Sequence, residues 1–208
     1  MNLPTKITFT RIISIILMII TLFVLELIPG FSSMTLGNTK INLVYLILCI
    51  FFILASISDF LDGYIARKYK MVTDLGKFLD PVADKLLVNS MVIFLVLTPT
   101  WVPEGQISFN VFCAIILVAR DIVVDAIRFI AAQKQIVIAA NIFGKMKTVL
   151  QMIAIPLVLL NDFPFHFIYG NNCPQYLTVT SFVVYLAKLV SLISGIIYVV
   201  QNKKVLKN

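Results

Sequence analysis

The run IISIILMIITLFVLELI, Ile12 to Ile28, decides the fold class, carrying Glu26 as its sole charge. It is too long for the apolar region of a signal peptide, and no small-residue cleavage site follows it. It reads as the first membrane helix. Working outward, six apolar segments can be drawn, at 9–29, 43–66, 80–99, 107–132, 141–160 and 177–200. Each is near or above the ~20 residues a helix needs to cross the hydrocarbon core. Turn-rich stretches separate them: Pro29-Gly30 to Asn42, Thr98 to Gly105, and Asn161 to Gln175. The expectation is an all-α integral membrane protein, a six-transmembrane-helix bundle forming a single domain over 1–208. The mixed stretch Asn2 to Thr10 adds a short N-terminal interfacial helix to that expectation.

Composition agrees. The chain is 60% hydrophobic and 13% charged, with a mean hydropathy of +1.00. That charge is about half of what a soluble domain carries, too little to coat a water-facing surface. Of the three cysteines, Cys49 and Cys113 lie in apolar runs and Cys173 in a turn-rich stretch. None has metal-type spacing, and there is no disulfide framework.

The net charge of +7 is not read as a nucleic-acid signal, because in membrane proteins Lys and Arg mark the cytoplasmic side. Lys6 and Arg11 begin the chain. Arg67, Lys68, Lys70, Lys77 and Lys85 surround the second connection. Arg128, Lys134, Lys145 and Lys147 surround the fourth, and Lys203, Lys204 and Lys207 lie in the tail, whereas the opposite connections hold only Lys40. Both termini are therefore expected in the cytoplasm. Trp101, between Pro99 and Pro103, suits the headgroup level on the outer side.

The chemistry concentrates in Ser58-Asp59-Phe60-Leu61-Asp62-Gly63-Tyr64-Ile65-Ala66-Arg67 and Gly76-Lys77-Phe78-Leu79-Asp80-Pro81-Val82-Ala83-Asp84. Asp59 and Asp62 are three apart, and Asp80 and Asp84 four apart. On helices both spacings put the carboxylates on one face. The first pair closes the second apolar segment and the second pair opens the third, so the pairs can converge from adjacent helices on the cytoplasmic side. Carboxylates so placed repel one another, and divalent cations relieve this. An oxygen-only set (Asp59, Asp62, Asp80, Asp84) favours Mg²⁺ or Mn²⁺. Two such ions ~3.5–4 Å apart are a known device for phosphoryl transfer. Gly63 and Ala66 let a ligand approach the backbone. Arg67 suits a diphosphate, and Thr73 offers a hydroxyl. Acids at membrane level are costly and usually functional.

These residues resemble a known signature. Asp59-x-x-Asp62-Gly63-x-x-Ala66-Arg67, eight residues, then Gly76-x-x-x-Asp80-x-x-x-Asp84 looks like the complete motif of the CDP-alcohol phosphatidyltransferase family, without departure. At average residue usage its eight fixed positions coincide by chance on the order of once in 10⁹ to 10¹⁰ trials. The resemblance implies a six-helix membrane bundle, commonly a homodimer. More narrowly, the chain resembles the bacterial branch that makes phosphatidylglycerophosphate in the cytoplasmic membrane. The supporting stretches are Asn2-Leu3-Pro4-Thr5 with Arg11, Leu79 to Lys85, Ala119-Arg120-Asp121 with Arg128, and Gly144 to Thr148. In that branch the position of Asp121 is usually Glu and that of Asp125 a small residue. The resemblance implies metal binding by Asp59, Asp62 and Asp80, with Asp84 as general base that also touches metal. It implies contacts of Asp59, Gly63, Arg67 and Thr73 with the CDP part of CDP-diacylglycerol, sn-glycerol 3-phosphate as acceptor, and CMP as leaving group.

An acceptor phosphate needs cations, for which Arg120, Arg128, Lys145 and Lys147 are the candidates. Arg120 and Arg128, eight apart, share a helix face. Lys145 and Lys147 also suit the plainer role of positive-inside anchors. Asp121 and Asp125 are expected to pair with these arginines or with Lys188. His166, the only histidine, is expected at an outer surface, and Gly195 with Ser191 and Ser194 to allow close helix packing. Two rivals stand: the same chemistry with another acceptor (cardiolipin, phosphatidylinositol-phosphate or phosphatidylserine synthesis), and a divalent-cation transporter, whose site would lie nearer the membrane midplane.

Overall fold

The computed structural model describes residues 2–36, 41–69, 73–97, 99–102, 105–136, 142–169 and 174–203, apart from the side chains of Leu3, Arg67, Asp74, Lys77, Tyr169 and Gln175. Lys40, Lys70, Cys173, Lys204 and Lys207 lie outside the described residues. Six long helices coincide with the six apolar segments: α1 (Leu3–Leu27), α2 (Leu43–Lys68), α3 (Asp74–Phe94), α4 (Val111–Gln133), α5 (Ile142–Leu159) and, after the short α6 (His166–Tyr169) and a 3₁₀ turn at Gln175–Leu177, α7 (Val179–Gln201). Among the described residues the only β pairing is one isolated bridge, Thr35 with Asn42.

Four stretches are long and apolar enough to cross a membrane: Pro4–Leu27, Leu43–Ala66, Ile142–Leu159 and Val179–Gln201. The other two long helices have the length but carry several charged residues. Asp80, Asp84 and Lys85 sit in α3, and Arg120, Asp121, Asp125 and Arg128 in α4.

Cap chemistry sets the helix ends. Asn2 to Thr10 form no separate interfacial helix; they are the first turns of α1. Pro4 sits at a first-turn position, where a missing N–H costs nothing. Asn42 Oδ1 accepts from Val44 N (2.9 Å) and Tyr45 N (3.2 Å) and starts α2. Thr73 starts α3 by accepting from Gly76 N at 3.0 Å, so α3 begins six residues before the apolar segment at 80–99. Asn110 caps α4 through Phe112 N. Pro81 and Pro156 lie inside α3 and α5; in membrane helices neighbouring groups re-satisfy the freed carbonyls.

The chain forms two compact units. The first comprises Met1–Ile107 with Leu159–Asn161 and contains α1, α2 and α3. Here α1 is inverted relative to a soluble amphipathic helix. Thr5, Thr8, Arg11 and Ile15 are buried, while Ile13, Ile16, Leu17, Ile20, Phe23 and Val24 are exposed. Lipid accepts such an apolar exterior, and the polar groups turn inward to find partners. At one end of this unit α1 meets the aspartates. Towards the other, Trp101 packs on Phe31, Tyr45 and Phe94, with ring centroids 6.0, 6.0 and 6.4 Å away. Trp101 is only 2% exposed, enclosed among three rings that remove its large apolar area from solvent.

The second unit comprises Ser108–Val158 and Asp162–Asn208. In it α4 and α7 run parallel. Cys113 meets Val184, Arg120 meets Ser194 and Arg128 meets Tyr198, in the same order along both helices. Small residues on the buried faces, Ala114, Ala131, Ala187, Ser191 and Ser194, allow the close approach. Asp162, 1% exposed, accepts from Thr180 N (2.8 Å) and Thr180 Oγ1 (2.6 Å). It thereby satisfies an N–H in the first turn of α7. His166 is half-buried, its ring 4.1 Å from that of Phe167.

Candidate active site

In the first unit, three residues of one α1 face hold the acidic motif. Thr5 Oγ1 lies 2.9 Å from Thr73 Oγ1, the cap of α3. Three residues on, Thr8 Oγ1 lies 2.8 Å from Asp80 Oδ1, 3.2 Å from Asp62 Oδ2 and 3.2 Å from Pro4 O. Three further on, Arg11 Nη1 pairs with Asp59 Oδ1. Asp62 of α2 and Asp80 of α3 thus share the Thr8 hydroxyl, with Asp59 beside them on Arg11. Asp62 is buried, while Asp59, Gly63, Ala66, Thr73, Asp80 and Asp84 are half-buried. Asp84 lies one turn beyond Asp80 on α3. The backbone of Arg67 is in α2; its side chain lies outside the described residues.

In the second unit, Arg120 of α4 and Lys147 of α5 come together on Asp121. Lys147 Nζ donates to both Asp121 oxygens, at 2.7 and 2.6 Å, and Arg120 Nη1 donates to Oδ1 at 3.2 Å. Arg120 Nη2 also donates to Ser194 Oγ at 2.7 Å. Two glycines make room for this arginine. A Cβ on Gly195 would stand 3.0 Å from Arg120 Cγ, and one on Gly144 3.3 Å from Arg120 Nη2. The expected pairing of Asp121 with an arginine is present; its closer partner is Lys147. Gly195 does serve close packing, and what it admits is the stem of Arg120. The structure does not bring all four expected phosphate cations together. Arg128, two turns beyond Arg120, is exposed and donates to Tyr198 Oη at 3.2 Å. Lys145 is exposed, whereas Lys147 is 3% exposed.

Residues 1–197 match the family model described as CDP-alcohol phosphatidyltransferase. The chain belongs to the CDP-alcohol phosphatidyltransferase family. It is 39% identical over 214 aligned positions to a Mycoplasma pneumoniae protein named CDP-diacylglycerol–glycerol-3-phosphate 3-phosphatidyltransferase, covering 99% of this chain and 89% of that one. Bacillus subtilis has a relative of the same name at 38% identity, with coverage of 80% and 81%. Rickettsia bellii has another at 34%, with coverage of 98% and 96%.

Three of the four acids singled out in the sequence, Asp59, Asp62 and Asp80, are engaged by α1. In its chemistry, though not in its spacing as it stands, the donor set suits a hard divalent cation. It contains only oxygens, and the single Thr8 proton faces three oxygen acceptors, which leaves lone pairs over at the buried Asp62. Among the described residues, no three His, Cys, Asp or Glu groups gather closely enough to hold one ion; Thr8 and Arg11 hold Asp62, Asp80 and Asp59 as they stand. Reading the sequence missed the role of α1. Its trace in the sequence is weak: Thr5, Thr8 and Arg11 recur every third residue, but Lys6 and Thr10 stand between them.

Proposed function

We propose that this family member is a CDP-diacylglycerol–glycerol-3-phosphate 3-phosphatidyltransferase, giving phosphatidylglycerophosphate and CMP for phosphatidylglycerol and cardiolipin synthesis. The observation that carries the acceptor is the name shared by relatives 34–39% identical over most of the chain. The observation that supports the chemistry is the set of family acids gathered from α2 and α3 at one end of a three-helix unit.

Asp59, Asp62, Asp80 and Asp84 would hold Mg²⁺ or Mn²⁺, two ions in each site. Bound there, such ions neutralise the diphosphate and the departing phosphate. Asp59, Gly63, Ala66, Arg67 and Thr73 line the CDP portion. The small Gly63 and Ala66 let it near the backbone, and Arg67 matches phosphate oxygens in pairs. Asp84 takes the proton from the acceptor hydroxyl. That oxygen forms a bond to the phosphorus bearing the diacylglycerol, and the bond from this phosphorus to the bridging oxygen breaks, releasing CMP. Arg120 is the principal cation for the acceptor phosphate, with Lys145, Lys147 and Arg128 around it. Lys147 stands on Asp121 and must exchange partners to join.

The two compact units act as one domain over 1–208, in a chain that crosses a bacterial cytoplasmic membrane six times, with both termini and the active site on the cytoplasmic side, as a homodimer. Lipid acyl chains stay in the bilayer while the charged acceptor arrives from water. A cation transporter is disfavoured because relatives 34–39% identical over most of the chain carry a phosphatidyltransferase name.

The test is an acceptor panel. Purified protein receives CDP-diacylglycerol, Mg²⁺ or Mn²⁺, and in turn glycerol 3-phosphate, phosphatidylglycerol, inositol phosphate or serine. CMP release with glycerol 3-phosphate alone is expected. Release with another acceptor instead replaces the assignment within the family, and metal flux in proteoliposomes without CMP release favours transport.

A further inference from the structure

We propose that Thr8 is a positioning residue of the reaction centre, its hydroxyl setting the approach of Asp62 on α2 to Asp80 on α3. The inference rests on the reading of those acids as the catalytic metal-binding set.

Thr8 is 1% exposed. A threonine within a helix ordinarily returns its proton to the carbonyl four residues back. Here that carbonyl, Pro4 O, is 3.2 Å away, while Asp80 Oδ1 is nearer at 2.8 Å and Asp62 Oδ2 lies at 3.2 Å. The shortest contact is therefore made across the fold, 72 residues along the chain. The hydroxyl engages one oxygen of each carboxylate, on two different helices. It supplies a neutral donor where two negative groups otherwise repel, and so fixes which lone pairs remain for a cation. Groups that orient metal-ligating carboxylates in this way typically carry a 10–100-fold effect on metal affinity.

The neighbours on the same face give Thr8 a fixed frame. Thr5, one turn before, joins the cap of α3 at Thr73, and Arg11, one turn after, pairs with Asp59. Arg11 is 5% exposed, and its Nε and Nη2 have no hydrogen-bond partner among the described residues. Holding a guanidinium this deep is costly, and its one partner among the described residues is an acid of the motif. The N-terminal turns of α1 thus act on the acids of both helices without supplying an acid themselves.

The test compares Thr8→Val, which keeps the shape and removes the hydroxyl, with Thr8→Ser, which keeps the hydroxyl. Mn²⁺ binding to purified protein is read by the electron paramagnetic resonance of the free ion, and kcat and KM for glycerol 3-phosphate by CMP release. Thr8→Val is expected to weaken Mn²⁺ binding about 10–100-fold and lower kcat at fixed metal, with KM for the acceptor unchanged. Thr8→Ser is expected to restore both. Thr8→Ala serves in place of the valine variant should that fail to fold. Wild-type Mn²⁺ binding in the valine or alanine variant overturns the proposal, as does a serine variant no better than they are, because packing of the methyl group would then be what matters. Mn²⁺ binding is read without acceptor. A wrong acceptor therefore leaves the Thr8 effect in place, whereas a wrong role for Thr8 leaves CMP release by the wild type intact.

Discussion

A carboxylate that takes a proton and one that only carries charge differ in what an amide can replace. Asp84→Asn keeps the shape and one acceptor oxygen of its side chain but cannot receive the acceptor's proton. If Asp84 is the base, kcat falls by about 10²–10⁴, while CMP binding, followed by calorimetry, stays within a few-fold of wild type. Near-wild-type turnover in Asp84→Asn would remove it from the mechanism. Asp84 could be singled out from sequence because the eight signature positions lie at fixed spacing within Asp59 to Asp84. The partners of those acids could not. Thr8 reaches Asp62 and Asp80 across 54 and 72 residues, and Arg11 reaches Asp59 across 48. No spacing rule links a hydroxyl in one apolar run to carboxylates in two others. The same holds for Lys147, which suits either a phosphate-binding or an anchoring role from sequence and is buried against Asp121, 26 residues earlier.

At the scale of the helix, hydropathy located all six long elements, because each carries a long apolar run. It placed their ends less well. The polar first turn of α3 is helical because Thr73 caps it, and hydropathy is blind to that. The polar start of α1 is likewise continuous with its apolar body, held by the Thr5, Thr8 and Arg11 contacts. In the second unit, the α4–α7 contact depends on a missing side chain. Gly195→Val places carbon into the 3.0 Å gap beside Arg120 Cγ and displaces that arginine from Ser194. Overpacking of this kind costs about 1–3 kcal/mol. The expected outcome is a lower unfolding temperature in detergent and a KM for the acceptor raised several-fold, with KM for CDP-diacylglycerol little changed. An unchanged acceptor KM would argue against Arg120 as the phosphate cation.

Across the whole molecule, exposed Ile, Leu and Phe side chains on α1, α2 and α7 surround polar interiors. In the first unit these are the acids with their α1 partners; in the second, Arg120, Asp121 and Lys147. A protein built this way keeps lipid tails outside and charge within. That arrangement suits a reaction whose donor is a lipid and whose acceptor is a water-soluble anion. The measurement that tests this most directly follows the label. Purified protein in detergent is given CDP-diacylglycerol, Mn²⁺ and radiolabelled glycerol 3-phosphate, and both CMP and solvent-extractable label are counted. Transfer predicts one labelled lipid for each CMP, and neither product without the metal or without CDP-diacylglycerol. CMP appearing with no label in lipid, or label staying in water throughout, would contradict it.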